Sequence, residues 1–146
     1  MINRLAISSA VLIATVFLAG WIALGKALVL LAGYDQAVFE LTGELVPVWS
    51  VRIQVIAAAE LIVAVAMGGL AAVGLSGRRR ALPLLPYFAL AFTLAEISEL
   101  ISYLLEVGVQ PFPTVMLVKI AMWSGWLVLN VVLFRKRDDA GLNPSS

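Results

Sequence analysis

Four long apolar stretches, at residues 5–32, 51–75, 82–106 and 114–134, alternate with short polar segments along the chain. Each is long enough to cross a hydrocarbon core, which takes about 20 helical residues. They are continuous rather than alternating with a period of two, so the strands of a membrane barrel do not fit. Lipid offers backbone N–H and C=O groups no partners, which leaves helices as the spanning form. The pattern predicts an all-α integral membrane protein, a four-transmembrane-helix bundle forming one domain over residues 1–137, with a disordered tail over 138–146. The apolar run after Arg4 continues well past the ~7–15-residue core of a secretory signal. It therefore reads as the first span.

The connections carry their own signals. Between residues 33 and 50, Val38, Phe39, Leu41, Leu45 and Val46 interleave with Asp35, Glu40 and Glu44, and Pro47 ends the run. This predicts a short amphipathic helix on the outer face, serving as a cap over the bundle or as a lid. Gly108, Pro111 and Pro113 predict a tight turn before the fourth span. The link at residues 76–80 is so short that the second and third helices must be antiparallel neighbours. Small residues at four-residue spacing, Gly68/Ala72 and Ala121/Gly125, would let helices approach closely.

Composition agrees with the membrane reading. Hydrophobic residues make up 62% of the chain, and charged residues 13%. A soluble domain carries roughly 25% charged residues. Seven of the ten basic residues form three groups: Arg4; Arg78, Arg79 and Arg80; and Arg135, Lys136 and Arg137. All three fall on one side of a four-span chain, and the positive-inside rule makes that side cytoplasmic, both termini included. A net charge of +1 gives no reason to expect nucleic acid as a partner. The chain has no Cys and no His. That excludes thiol redox chemistry and removes the commonest haem ligands.

The remaining charges are the candidate chemistry. Lys26, Glu60, Glu96, Glu99 and Lys119 lie inside apolar spans, with Arg52 and Glu106 at the outer rim. A charge at mid-membrane costs roughly 2.5–3.5 kcal/mol on insertion scales, so each needs a partner or a watery cavity. At 1.5 Å per residue, Lys26, Glu99 and Lys119 lie about 8–10 Å below the outer helix ends, and Glu60 and Glu96 about 14–15 Å. Thr93, Glu96, Glu99, Tyr103 and Glu106 share one face of the third helix; Lys119, Trp123, Trp126 and Asn130 share one face of the fourth. Pointed inward, these faces predict an intramembrane charged cluster of Lys26, Arg52, Glu60, Glu96, Glu99, Tyr103 and Lys119, with Lys26 paired to Glu60. Two lysines facing three glutamates leave one acid over, unless Arg52 reaches down to it.

Three readings of that cluster stay open: ion pairs that hold the helices in register, a polar cavity for a polar ligand or a partner's side chain, and a proton- or ion-coupled transport site. No catalytic residues are assigned, because no nucleophile, metal set or cofactor loop accompanies the carboxylates. Three carboxylates can bind a hard cation, but the neighbouring lysines compete for them, so no metal site is assigned either.

Phe17-Leu18-Ala19-Gly20, then Gly25-Lys26, Pro47 in an outer amphipathic segment, Ala59-Glu60-Leu61, and Gly74-Leu75 before a basic turn form a recognisable series. Over roughly residues 10–95 the chain resembles the DoxX-like/MauE-like family of small four-helix bacterial membrane proteins. The resemblance implies a bacterial inner-membrane location. It also implies work beside thioredoxin-like maturation proteins, or as a membrane subunit of quinone-linked oxidoreductases, and it carries over to Lys26 and Glu60. Some relatives have a Cys pair near the outer start of the fourth helix, where this chain reads Val109-Gln110-Pro111-Phe112-Pro113. A thiol relay is therefore not expected. The expected function is a non-catalytic integral membrane subunit or accessory protein of a redox- or quinone-linked complex. A small proton- or ion-coupled transporter using the intramembrane glutamates is the alternative. Expected partners are membrane lipid and other membrane subunits or further copies of the chain; no cofactor is assigned, a quinone or a lipid being the candidates.

Overall fold

A computed structural model describes residues 3–34, 50–106 and 112–135. The expected outer amphipathic helix, the tight turn after residue 106 and the C-terminal tail lie outside the described residues. Those described are helical, with no strand among them, and contain four helices long and apolar enough to cross a membrane.

Helix α1 covers Arg4–Ala27, and the Asn3 side chain accepts a hydrogen bond from the Leu5 N–H at its start. Such a cap satisfies one of the donors a helix N-terminus leaves over. The sequence predicts one uninterrupted helix to residue 32. Instead the last turn, Leu28–Ala32, is a π-helix that begins two residues after Lys26. Gly33 ends it with φ 71°, a left-handed conformation that glycine adopts without a Cβ penalty.

Helix α2 runs Val51–Leu75, with the Ser50 hydroxyl accepting from the Ile53 N–H. A short link with Gly77 at φ 91° follows. Then come a 3₁₀ turn at Arg79–Leu84 and helix α3 at Leu85–Glu106. The third α-helix thus begins three residues later than predicted, because Pro86 lacks the N–H that a helix starting at Leu82 would donate to the Leu82 carbonyl. Helix α4 is Phe112–Phe134, two residues longer at its start than predicted. Pro113 falls in its first turn, where no intrahelical donor is required.

Helix α1 packs along α2, α2 meets α3, and α3 packs on α4. The α1–α2 seam is antiparallel and regular. Stepping back along α1 from Lys26 to Ala19 to Leu12, the facing residues on α2 advance from Glu60 to Gly68 to Gly74. A small residue makes the approach possible: a Cβ on Gly68 would stand 3.1 Å from that of Ala19, whereas one on Gly74 would collide with Leu82 of the 3₁₀ turn rather than with α1. Of the predicted pair Gly68/Ala72 only Gly68 serves this seam, since Ala72 is exposed. The second pair takes no part in a helix contact among the described residues: Ala121 and Gly125 are exposed, and a Cβ on Gly125 would meet open space. Spacing identifies small residues on one face without saying which face is buried.

Below the charged residues the core is apolar, built from Leu12, Ala64, Met67, Ala71, Leu85 and Phe92. Phe92 meets Trp123 of α4 with ring centroids 4.3 Å apart. The outward faces are apolar too: Phe17, Trp21, Val55, Ile62, Leu94, Leu105, Val128 and Val132 are all exposed. Water would penalise such a surface, whereas lipid matches it.

Candidate functional site

Three helices bring their charges to one point. Lys26 Nζ lies 2.5 Å from Glu60 Oε2 of α2 and donates to Glu99 Oε1 of α3 at 3.0 Å. Glu96 completes the group, one helical turn from Glu99. Glu60 is fully buried, and Lys26, Glu96 and Glu99 are each at most 4% exposed. One oxygen from each of Glu60, Glu96 and Glu99 lies within 4.8 Å of the other two. One ammonium therefore ties α1, α2 and α3 together.

The local sequence explains the placement. Lys26 falls on the α1 face that also carries Leu12, Thr15, Ala19 and Ile22, all buried. Glu60 shares its face of α2 with Ala57, Ala64 and Met67. With small residues around it, the seam narrows enough for the long lysine chain to reach Glu60 directly. Glu96 and Glu99 extend the buried face of α3 that begins at Ala89 and Phe92. Three other polar side chains of the buried faces bond back within their own helices. Thr15 donates to the Val11 carbonyl, Thr93 to that of Ala89, and the Asn130 amide to that of Trp126. Such back-bonding occupies the two hydroxyls and the Asn130 amide nitrogen, while Asn130 Oδ1 is buried and receives no hydrogen bond from any described residue.

The carboxylates are less well provided for. Glu60 Oε1 and Glu99 Oε2 are buried and receive no hydrogen bond from any described residue. Buried polar atoms are normally paired, and each exception calls for a physical reason. A cavity of about 140 Å³ adjoins the group at Lys26 and Glu96, and neither Glu60 nor Glu99 lines it. It lies between α1 and α4 and is lined by Ile22, Lys26, Glu96, Lys119, Trp21 and Trp123, among others. Its walls are apolar and aromatic, and its polar groups are two cations and one acid.

The expected cluster is thus brought together in part. Lys26, Glu60, Glu96 and Glu99 meet, and Lys119, half-buried, joins Lys26 and Glu96 at the cavity. Arg52 does not take part. It is exposed on the first turn of α2, about 12 Å along the axis from Glu60. Tyr103 continues the α3 helix one turn beyond Glu99, and its side chain lies outside the described residues. Sequence reasoning placed Glu99 in the cluster but paired Lys26 with Glu60 alone, although Lys26 and Glu99 were placed at nearly the same depth. The lining by Trp21 had no signal, since its spacing reads equally well as a lipid-facing position.

The three carboxylate oxygens are spaced as hard-cation ligands would be, and oxygen-only donors suit magnesium or calcium rather than a transition metal. The Lys26 ammonium already occupies the position between Glu60 and Glu99 that such a cation would take.

Comparison of the chain with protein-family models, curated proteins and solved structures finds no match. The resemblance to DoxX-like/MauE-like proteins accordingly rests on the residue pattern alone.

Proposed function

We propose that this chain is a non-catalytic integral membrane subunit that holds the polar headgroup of a membrane-dissolved ligand, a quinone being the best-fitting class, in the cavity between α1 and α4. The observation that carries this reading is the convergence of Lys26, Lys119 and Glu96 on an otherwise apolar and aromatic cavity. Two ammonium groups are suited to the carbonyl oxygens of a quinone, a carboxyl can exchange a proton with them, and Trp21 and Trp123 offer aromatic faces to a flat ring. A few placed polar groups in an apolar cavity is the general form of a small-molecule site. The resemblance of the residue pattern to DoxX-like/MauE-like proteins supports a bacterial inner membrane as the context, and the three basic groups support cytoplasmic termini.

Trp21 and Trp123 supply the test. Titrating a short-chain ubiquinone into the detergent-purified protein should quench tryptophan fluorescence saturably. Glu96→Gln and Lys119→Gln should weaken the quenching by about tenfold, the loss of roughly one charge-assisted contact. Linear, non-saturating quenching that is equal in wild type and both variants would leave the proposal without a binding site.

A second reading, proton- or ion-coupled transport, is favoured by one specific observation. Three acids, Glu60, Glu96 and Glu99, face two bases, Lys26 and Lys119, so an electrically neutral cluster holds one exchangeable proton. Proteoliposomes with a pH gradient and an internal pH dye decide it. Proton flux abolished by Glu96→Gln would support transport, and flux no greater than in empty vesicles would dismiss it.

A further inference from the structure

The opposite end of the α1–α4 seam carries a second site of different chemistry. A cavity of about 310 Å³ is enclosed there by the start of α1, the 3₁₀ turn and the end of α4. Three guanidinium side chains line it, Arg4, Arg79 and Arg135, one from each of these elements. They are exposed at the rim, whereas Leu12, Leu82 and Phe134 form a buried apolar floor. Arg4 donates to the Val132 carbonyl of α4 at 3.4 Å, which fixes it beside the last turn of that helix. Beyond Pro83 and Arg135, which it shares, a larger cavity of about 620 Å³ continues along Leu84, Tyr87, Leu90 and Leu127.

We infer that this pair of cavities binds one anionic glycerophospholipid, its phosphodiester between Arg4, Arg79 and Arg135 and an acyl chain along the Tyr87–Leu127 groove. Charge complementarity selects the occupant. The acids with described side chains, Glu60, Glu96 and Glu99, lie on the order of 15 Å or more along their helices from this end, so no described carboxylate answers the three arginines. Guanidinium groups match phosphate oxygens in a forked geometry. A zwitterionic choline headgroup would bring a cation to the same three cations. A free phosphate would satisfy the rim and leave the apolar floor and groove unused. Basic pockets between spanning helices at the positively charged membrane face are the expected place for anionic headgroups. The inference is independent of what the buried Lys26 cluster does.

Native mass spectrometry of the detergent-extracted full chain tests it, with phosphatidylglycerol and phosphatidylcholine added in turn. A single retained phosphatidylglycerol is expected, with phosphatidylcholine retained at least about tenfold less. Arg79→Gln and Arg135→Gln should each weaken phosphatidylglycerol binding about tenfold. Arg78→Gln, which removes the same charge from the same loop outside the cavity, should change it less than about twofold. The two cavity arginines sit on different elements, so either variant alone decides the matter if the other does not fold. Equal retention of both lipids, or an Arg78→Gln loss as large as that of Arg79→Gln, would reduce the site to diffuse surface charge and overturn the proposal. Displacement of the lipid by millimolar inorganic phosphate would assign the site to the free anion instead.

Discussion

Helix α1 has two seams, and they are built by opposite rules. Against α2 it is closed: Ala19 meets Gly68, Leu12 meets Gly74, and Lys26 reaches Glu60 across the narrowed gap. Against α4 it is open. One cavity reaches Lys26, Glu96 and Lys119, and another at the far end gathers Arg4, Arg79 and Arg135. Apolar small residues bring about the first seam, and charged residues border the gaps in the second. In a bilayer lipid competes equally with protein for apolar surface, so helices stay together through close packing and polar bonds. The α1–α4 seam has the Arg4–Val132 hydrogen bond at one end and leaves two cavities along it, bordered by Lys26, Glu96 and Lys119 and by the three arginines.

Removal of the Lys26 ammonium should have the largest effect. Lys26→Met strands Glu60 and Glu99 in the interior and should destabilise the protein by about 3–5 kcal/mol, read as a lowered Tm in detergent. Combining it with Glu60→Gln should recover part of the loss, because Glu99 still lacks its donor. Strict additivity of the two changes would mean that the pair contributes nothing to the seam. Gly68→Val should come next, at about 1–3 kcal/mol, since its Cβ starts 3.1 Å from Ala19. The same change at Gly125, where nothing lies within 4 Å, separates seam closure from helix propensity. Gly125→Val should cost at most a few tenths of a kcal/mol, and Gly125→Ala should gain up to about 1 kcal/mol. Equal losses at Gly68 and Gly125 would erase the distinction between the seams. The smallest effect on stability belongs to Lys119→Gln. That residue is half-buried at the cavity, and its loss should shift Tm by less than about one third of the Lys26→Met shift.

The four helices were legible because an apolar stretch of this length admits no other structure in lipid. Their ends were less so. Pro86 moved the start of α3 through local backbone chemistry that hydropathy does not register. The π turn after Lys26 leaves no mark in the pattern of apolar residues, since one extra residue in a turn changes which face a side chain takes and not its polarity. Within the site, the inward face of α3 could be read from the spacing of Glu96 and Glu99. The sharing of Lys26 between Glu60 and Glu99 could not, because it depends on how three helices rotate about their axes. Arg52 shows the limit of depth estimates: the second residue of α2 has solvent within reach, and no argument from spacing draws it down to the cluster.

Because the chain contains no cysteine, single introduced thiols report on the two seams without interference. Ile22 lines the cavity beside α4, whereas Met67 lies buried in the apolar core on α2. With a small, charged thiol reagent applied to the protein in detergent or liposomes, Ile22→Cys should be modified at least about tenfold faster than Met67→Cys, since only a thiol that meets water ionises and reacts. Equal and negligible modification of both would show that the α1–α4 seam is as closed as the core, and that the buried carboxylates are reached by nothing from outside.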